Sequence, residues 1–152
     1  MTNATRPDDL ERQVAARLAE RDARFTQSRR HVVRFLDTAD GPISASGLHA
    51  GLDGAIPLSS LYRTLSVLEE AGILAREHDA DGTARYELAE WLTGHHHHLV
   101  CVRCGAIEDV EIDAEAETEM TGLVARIAAR RGFSATGHRI DIEGRCPACR
   151  SQ

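Results

Sequence analysis

Three observations in the sequence predict an α+β fold in two parts. Four short amphipathic helical segments follow one another, a hairpin comes directly after them, and two CxxC pairs bracket a strand-strand-helix-strand run. Helix, turn, helix and then hairpin is the order of a winged helix-turn-helix, so the first part is expected to be a winged-helix domain and the second a small α/β domain.

Each element has its own signal. Asp8 and Asp9 open a segment with Leu10, Val14 and Leu18 at helical spacing, and Thr26 caps a second with Val32, Val33, Phe35 and Leu36. After the Gly41-Pro42 breaker, Ser44 caps a short third helix through Leu48. A fourth follows Pro57, with Ser59 or Ser60 as its expected cap, Leu61, Leu65 and Leu68 on one stripe and Gly72 as its stop. The stretch "ILAREHDADGTARYEL" holds two strand-like runs joined by Asp-Ala-Asp-Gly, a hairpin signal. Residues 89–94, with Trp91 and Gly94, read as a linker, which sets the expected domains at 1–88 and 95–152 with a hinge between them. Strand-like "HHLVCVR" and "AIEDVEI" follow, then a helix from about 114 to 131 stopped by Gly132, then the alternating "HRIDIEG" that leads into "RCPACR".

Composition narrows the function classes. The 152 residues include no apolar run of membrane-spanning length and no charged-then-apolar start of signal-peptide type, so a cytoplasmic protein with no membrane partner is expected. A net charge of −6 argues against a chain that coats nucleic acid over its whole surface. The charge is uneven, however: between residues 12 and 34 seven arginines meet only Glu20 and Asp22, a local basic patch that includes Arg24 and Arg29.

The fourth helix is the expected reading helix. Its start offers the hydroxyls of Ser59, Ser60 and Thr64, the ring of Tyr62 and the guanidinium of Arg63, groups suited to phosphates, guanines and thymine methyls. The competing reading is a helical-hairpin domain that binds protein instead of DNA.

The second part carries metal chemistry. A CxxC on a tight knuckle presents two thiolates to one ion, and two knuckles close a four-thiolate shell, so Cys101, Cys104, Cys146 and Cys149 are expected to hold structural zinc. The "CPAC" pair also has the spacing of a redox motif, but that chemistry needs a long helix after the first cysteine, and the chain ends three residues beyond the second. A closed shell leaves no open position, and no nucleophile, base and open metal site occur together, so the protein is not expected to be an enzyme. The run "HHHH" lies inside a patterned region. If 95–100 is extended, His95 and His97 face one way and His96 and His98 the other, which implies two sites. Imidazole suits zinc, iron, nickel or copper, and carboxylates widen the choice toward iron and manganese. The acids in reach along the chain are Glu87, Glu90, Glu115, Glu117 and Glu119, with His138 as a further imidazole.

The strings "RFTQSRRHVV", "SLYRTLSVLEEAGIL", "RYEL", "HHHHLVCVRCG" and "GHRIDIEGRCPACR", in that order from about residue 20 to 150, resemble the ferric uptake regulator family of bacterial metal-sensing repressors. The resemblance implies a homodimer on a palindromic operator of double-stranded DNA, with residues 95–152 as a metal-binding dimerisation domain. It implies structural zinc on the four cysteines, and a regulatory divalent metal, Fe2+ or Zn2+ with Mn2+ or Ni2+ also admitted, at a hinge site of Glu87, His96 and His98. It implies a second site of His95, His97, Glu117 and His138. Arg24, Arg29, Ser60, Tyr62 and Arg63 are the expected DNA contacts.

The chain also departs from the family pattern. Pro42 and Ile43 stand where many iron-sensing members draw a histidine, and Ala89 stands where some zinc-sensing members place a cysteine, so Glu90 or His78 is needed to complete the hinge site. "SSLYR" replaces the more frequent Thr-Val-Tyr-Arg but keeps Tyr62 and Arg63. The rival functions are a peroxide-sensing repressor of the same fold and a zinc-buffering protein that does not bind DNA.

Overall fold

The computed structural model describes residues 7–79 and 81–151, which divide into two compact units between His95 and His96. Ala80, in the turn of the expected hairpin, lies outside the described residues.

In the first unit the helices are α1 (Pro7–Ala19), α2 (Gln27–Asp37), α3 (Ala45–Gly51) and α4 (Leu58–Glu70), with the two-residue strand β1 (Ile43–Ser44) before α3. The caps follow from side-chain chemistry. Thr26 accepts the N–H of Arg29 at the start of α2, and Ser44 accepts the N–H of Gly47 at the start of α3. The expected serine cap on α4 is corrected: Leu58 opens the helix, Pro57 is its N-cap with no side-chain bond, and Ser59 and Ser60 lie inside the first turn. Proline at φ −55° and ψ 142° already turns the chain into the helix, and its carbonyl receives the N–H groups of Ser60 and Leu61.

The wing consists of β2 (Leu74–His78) and β3 (Ala84–Leu88), antiparallel with Arg76 opposite Tyr86, and β1 adds to the far edge of β3. Asp79 fixes the turn, accepting the N–H groups of Asp81 and Thr83 and the guanidinium of Arg85. The stripes read from the sequence form one core: Leu10, Val14 and Leu18 of α1, Val32, Val33 and Leu36 of α2, and Leu61, Leu65 and Leu68 of α4 are all buried in it. The segment expected as a linker is a helical turn, α5 (Glu90–Thr93), whose Leu92 joins that core and whose Trp91 indole donates to the Gly72 carbonyl at 2.7 Å. A buried leucine two residues after Glu90 is what holds the segment to the first unit.

In the second unit a three-stranded sheet has β4 (His97–Cys101) in the centre, antiparallel to β5 (Ile107–Val110) and parallel to β6 (Asp141–Gly144). Helix α6 (Ala114–Ala129) lies between β5 and β6 in the chain, capped by Asp113, and the last element is the helical turn α7 (Pro147–Arg150). The α6 helix ends two residues before the sequence suggested, its last turn closed by Gly132 at φ 66° and by the Phe133 N–H on the Ala128 carbonyl. This unit buries little apolar surface: among the described residues Cys101 is its one buried apolar side chain, whereas Leu99, Val102, Leu123, Ile127, Phe133 and Ile142 are exposed.

Candidate metal centres and nucleic-acid face

The thiolate cluster is built by two turns. Cys101 ends β4, and the Gly105 N–H returns to its carbonyl at 2.9 Å with Gly105 at φ 71°, which makes the first knuckle. Cys146 caps α7, so Cys149 lies one turn further on and its N–H bonds the Cys146 carbonyl. The parallel pairing of Cys101 with Gly144 brings the knuckles together. The four Sγ atoms lie within 4.8 Å of one another, with Cys104 and Cys146 3.8 Å apart. Four thiolates at about 2.3 Å from a tetrahedral zinc stand about 3.8 Å from each other, so the donor set fits that ion. The electrostatics agree. The N–H of Cys146, 3.4 Å from Cys101 Sγ, leads a group of backbone donors, with those of Cys104 and Arg103, that draws the Cys101 thiol down to about 6. Cys149 is pushed up to about 12, first by its hydrogen bond with the Cys146 side chain and then by burial. A dication at the centre of the cluster would favour the thiolate form of all four ligands.

At the start of β4 and in the residue before it, alternating side-chain directions separate His97 from His96 and His98. His96 and His98 turn to one carboxylate, that of Asp109: its Oδ1 lies 3.9 Å from His96 Nε2 and 3.6 Å from His98 Nε2. The two rings meet edge to face with centroids 5.2 Å apart. These spacings exceed a hydrogen bond and are close to the edge of about 3.4 Å between nitrogen and oxygen ligands on a tetrahedral ion. Sequence reading did not single out Asp109. The signal for it lies in the register: the knuckle after Cys101 folds β5 back on β4 so that Asp109 stands directly opposite His98. In "AIEDVEI" it resembles any solvent-facing acid of an alternating strand.

His97, one residue along and on the other side, is buried and meets a different acid. Glu117 Oε2 lies 3.0 Å from His97 Nε2, and Glu117 Oε1 lies 3.1 Å from His138 Nε2. Of the three glutamates on the first turns of α6, Glu117 is thus the one between these two imidazoles. His95, at the end of the first unit, has its Nδ1 3.1 Å from Glu90 Oε1, so Glu90 faces His95. Glu87 lies in β3 next to Tyr86, and His78 is exposed at the end of β2.

On the first unit, Tyr62 is 52% exposed and Arg63 is exposed beside it, while Leu61 and Leu65 on the opposite side of α4 are buried. Ser60 is half-buried. The basic patch is sorted by ion pairing. Glu11 of α1 holds Arg30 at 2.6 Å and Arg34 at 2.5 Å, and these partners, Arg30 first, keep its carboxyl below the usual range despite burial. Arg24 is exposed, and the Arg29 guanidinium donates to its backbone carbonyl; both line an open cleft with Arg21 and Thr26. Arg12 and Arg17 pair with Asp9 and Glu20 in the same way, so four of the seven arginines have a carboxylate beside them and the patch is narrower than the sequence suggested.

A winged helix-turn-helix followed by a small sheet domain with a thiolate cluster and imidazole–carboxylate clusters is the architecture of a metal-responsive transcriptional regulator. Comparison with known proteins carries this to the family. Residues 20–143 match the ferric uptake regulator family, and the chain belongs to it. It is 32% identical over 128 residues to the ferric uptake regulation protein of Rhizobium leguminosarum bv. viciae, covering 82% of this chain and 85% of that one. Its fold is similar to that of the Helicobacter pylori ferric uptake regulator, described as having three functional metal binding sites, with TM-score 0.76 at 21% identity over 99% of this chain and 97% of that one. It is also similar to a zinc uptake regulator in complex with zinc and DNA, with TM-score 0.55 at 27% identity over 97% of each chain.

Proposed function

We propose that the protein is a cytoplasmic, homodimeric repressor whose grip on a palindromic operator depends on a divalent metal at His96, His98 and Asp109. The observation that carries this is the convergence of two Nε2 atoms and one carboxylate oxygen in a chain that opens with a winged helix. Glu87, in the strand before α5, joins them as the ligand drawn from the DNA-binding unit. By holding one cation between them these residues limit the relative freedom of the two units, and the ordering cost of binding two half-sites falls. A tenfold to hundredfold change in DNA affinity needs only about 1.4 to 3 kcal/mol of such coupling.

The four cysteines hold structural zinc in this reading, and His97, Glu117 and His138, with His95, form the second site. Dimerisation is supported by the second unit's exposed Leu99, Leu123, Ile127 and Ile142, apolar groups that a partner subunit removes from water. Tyr62 and Arg63 enter the major groove, with Ser60, Arg24 and Arg29 on the backbone. The zinc uptake regulator solved with zinc and DNA supports the DNA reading. Iron, zinc and manganese all suit a site of two imidazoles and carboxylate.

The test is binding of the tag-free protein to the DNA upstream of its own gene, at fixed salt and without oxygen, with Fe2+, Mn2+, Zn2+ or Ni2+ added singly to protein that retains its thiolate-bound zinc. Tightening by at least tenfold with one metal supports the repressor and names its ion. Equal affinity with all four and with none removes it and leaves metal buffering.

A further inference from the structure

His98 occupies the central strand of its sheet and has an aspartate in register on each side: Asp109 on β5 and Asp141 on β6. Residues paired across neighbouring strands project to the same face, so Asp109, His98 and Asp141 form a row across the sheet. The two contacts differ in kind. Asp141 Oδ1 is 3.2 Å from His98 Nδ1, a hydrogen-bond distance, whereas Asp109 Oδ1 is 3.6 Å from His98 Nε2, beyond one.

We propose that Asp141 is a positioning residue: its carboxylate accepts the Nδ1–H of His98 and so holds the ring in the tautomer whose Nε2 lone pair faces His96 and Asp109. An ionised carboxylate can only accept, so the proton of the neutral ring belongs on Nδ1 and Nε2 is left as the donor atom for a cation. The ring is 5% exposed, so water is a poor substitute for Asp141 in setting that choice. A carboxylate behind the ring also makes Nε2 a stronger electron donor. The two aspartates have separate tasks because they sit at opposite nitrogens of one imidazole: Asp109, on the Nε2 side, would share a cation with the ring, and Asp141, on the Nδ1 side, holds the ring in place. Nothing in "HRIDIEG" announced this role, because it depends on the parallel pairing of His98 with Asp141, two positions far apart in the chain.

This inference rests on the reading of His96 and His98 as metal ligands, and the test separates the two. Co2+ is titrated by absorption into the full-length protein holding its thiolate zinc, and the binding lost in His98→Ala defines the His98 site; if nothing is lost there, the site reading itself fails. Given that site, Asp141→Ala is expected to weaken it by about 10-fold to 100-fold, the range for removing such a partner. Asp141→Asn, whose amide oxygen still accepts the Nδ1–H, is expected to remain within a few-fold of the unchanged protein with the same Co2+ spectrum. Nitrogen NMR of the imidazoles is expected to find His98 protonated at Nδ1 in the unchanged protein and in Asp141→Asn, and in a tautomer mixture in Asp141→Ala. Unchanged Co2+ affinity in Asp141→Ala overturns the proposal, as does an Nε2–H tautomer in the unchanged protein. Equal loss in Asn and Ala with an altered spectrum also overturns it, since Asp141 is then a ligand itself.

Discussion

His138 stacks on His97 with ring centroids 5.3 Å apart and planes within 18° of parallel, and both Nε2 atoms face the carboxylate of Glu117. In the proposed second site this carboxylate lies between two imidazoles, whereas Glu115 and Glu119, two residues to either side on α6, are exposed. Glu117→Gln is expected to weaken metal binding at this second site by about tenfold or more, since changes one shell further out already have that effect. Glu115→Gln and Glu119→Gln, which preserve size and remove the same charge, are expected to leave it within twofold. Competition with a chelator of known affinity measures all three, and equal losses across them would reduce the effect to general electrostatics.

The pairing of Arg30 and Arg34 with Glu11 separates arginines of similar sequence context. Arg63→Ala is expected to weaken operator binding by about 1 to 3 kcal/mol and to relax discrimination at one base pair if the guanidinium reads a guanine. A phosphate contact instead lowers the salt slope by about 1 and weakens all sequences alike. Arg34→Ala is expected to do neither, because its guanidinium already faces the Glu11 carboxylate. Affinities over a salt series for both variants decide; a lowered slope for Arg34→Ala removes the idea that Glu11 withholds it from DNA.

How much of this was legible in the chain depends on how far apart the contributing residues are. The leucine stripes, the Thr26 and Ser44 caps and the hairpin are local, set by residues within a turn or two of each other, and the structure repeats them. Each CxxC pair marks its own knuckle locally, although it is the parallel pairing of β4 with β6 that brings the two knuckles together. Asp109 and Asp141 were missed because their nearness to His98 depends on strand register, and register follows from a turn in one case and a parallel crossover in the other. Residues 89–94, with Trp91 and Gly94, read as a linker in the sequence. A single turn has no period to show, and the burial of Leu92 is decided by tertiary packing.

Glu11 also gives the first unit a defined response to acid. Its folded carboxyl titrates below the usual 4.5 because Arg30 and Arg34 favour the charged form. A depressed carboxyl contributes stability that is fully present above the unfolded value and is lost as pH falls through the folded one. Glu11→Gln is therefore expected to lower the urea midpoint of this unit by a constant amount above about pH 5 and by a shrinking amount below it. Trp91, the one tryptophan of the chain, lies in this unit and reports its unfolding by fluorescence. A gap between the two proteins that stays constant down to pH 3 or so would show that Glu11 acts by packing and not by charge.

The two units should differ sharply in their dependence on the thiolate-bound zinc. In the first, Val14, Leu18, Val32, Leu48, Leu61 and Leu68 are fully buried, a core that needs no ion. In the second, Cys101 is the one buried apolar side chain among the described residues, and the knuckles at Cys101–Cys104 and Cys146–Cys149 fix the ends of β4 and β6. Zinc bound by such sites contributes on the order of 10 kcal/mol to folding, comparable with the whole stability of a small domain. Stripping the metal with a chelator, or substituting Cys146→Ser, is therefore expected to open residues 96–152 to protease while Trp91 fluorescence remains native. Loss of the proposed homodimer in size-exclusion chromatography is expected to accompany it, because the apolar surface of Leu99 and Ile142 is carried by the sheet that the knuckles brace. Protease resistance of 96–152 in the stripped protein would mean that the sheet and the partner subunit hold this unit together without the ion.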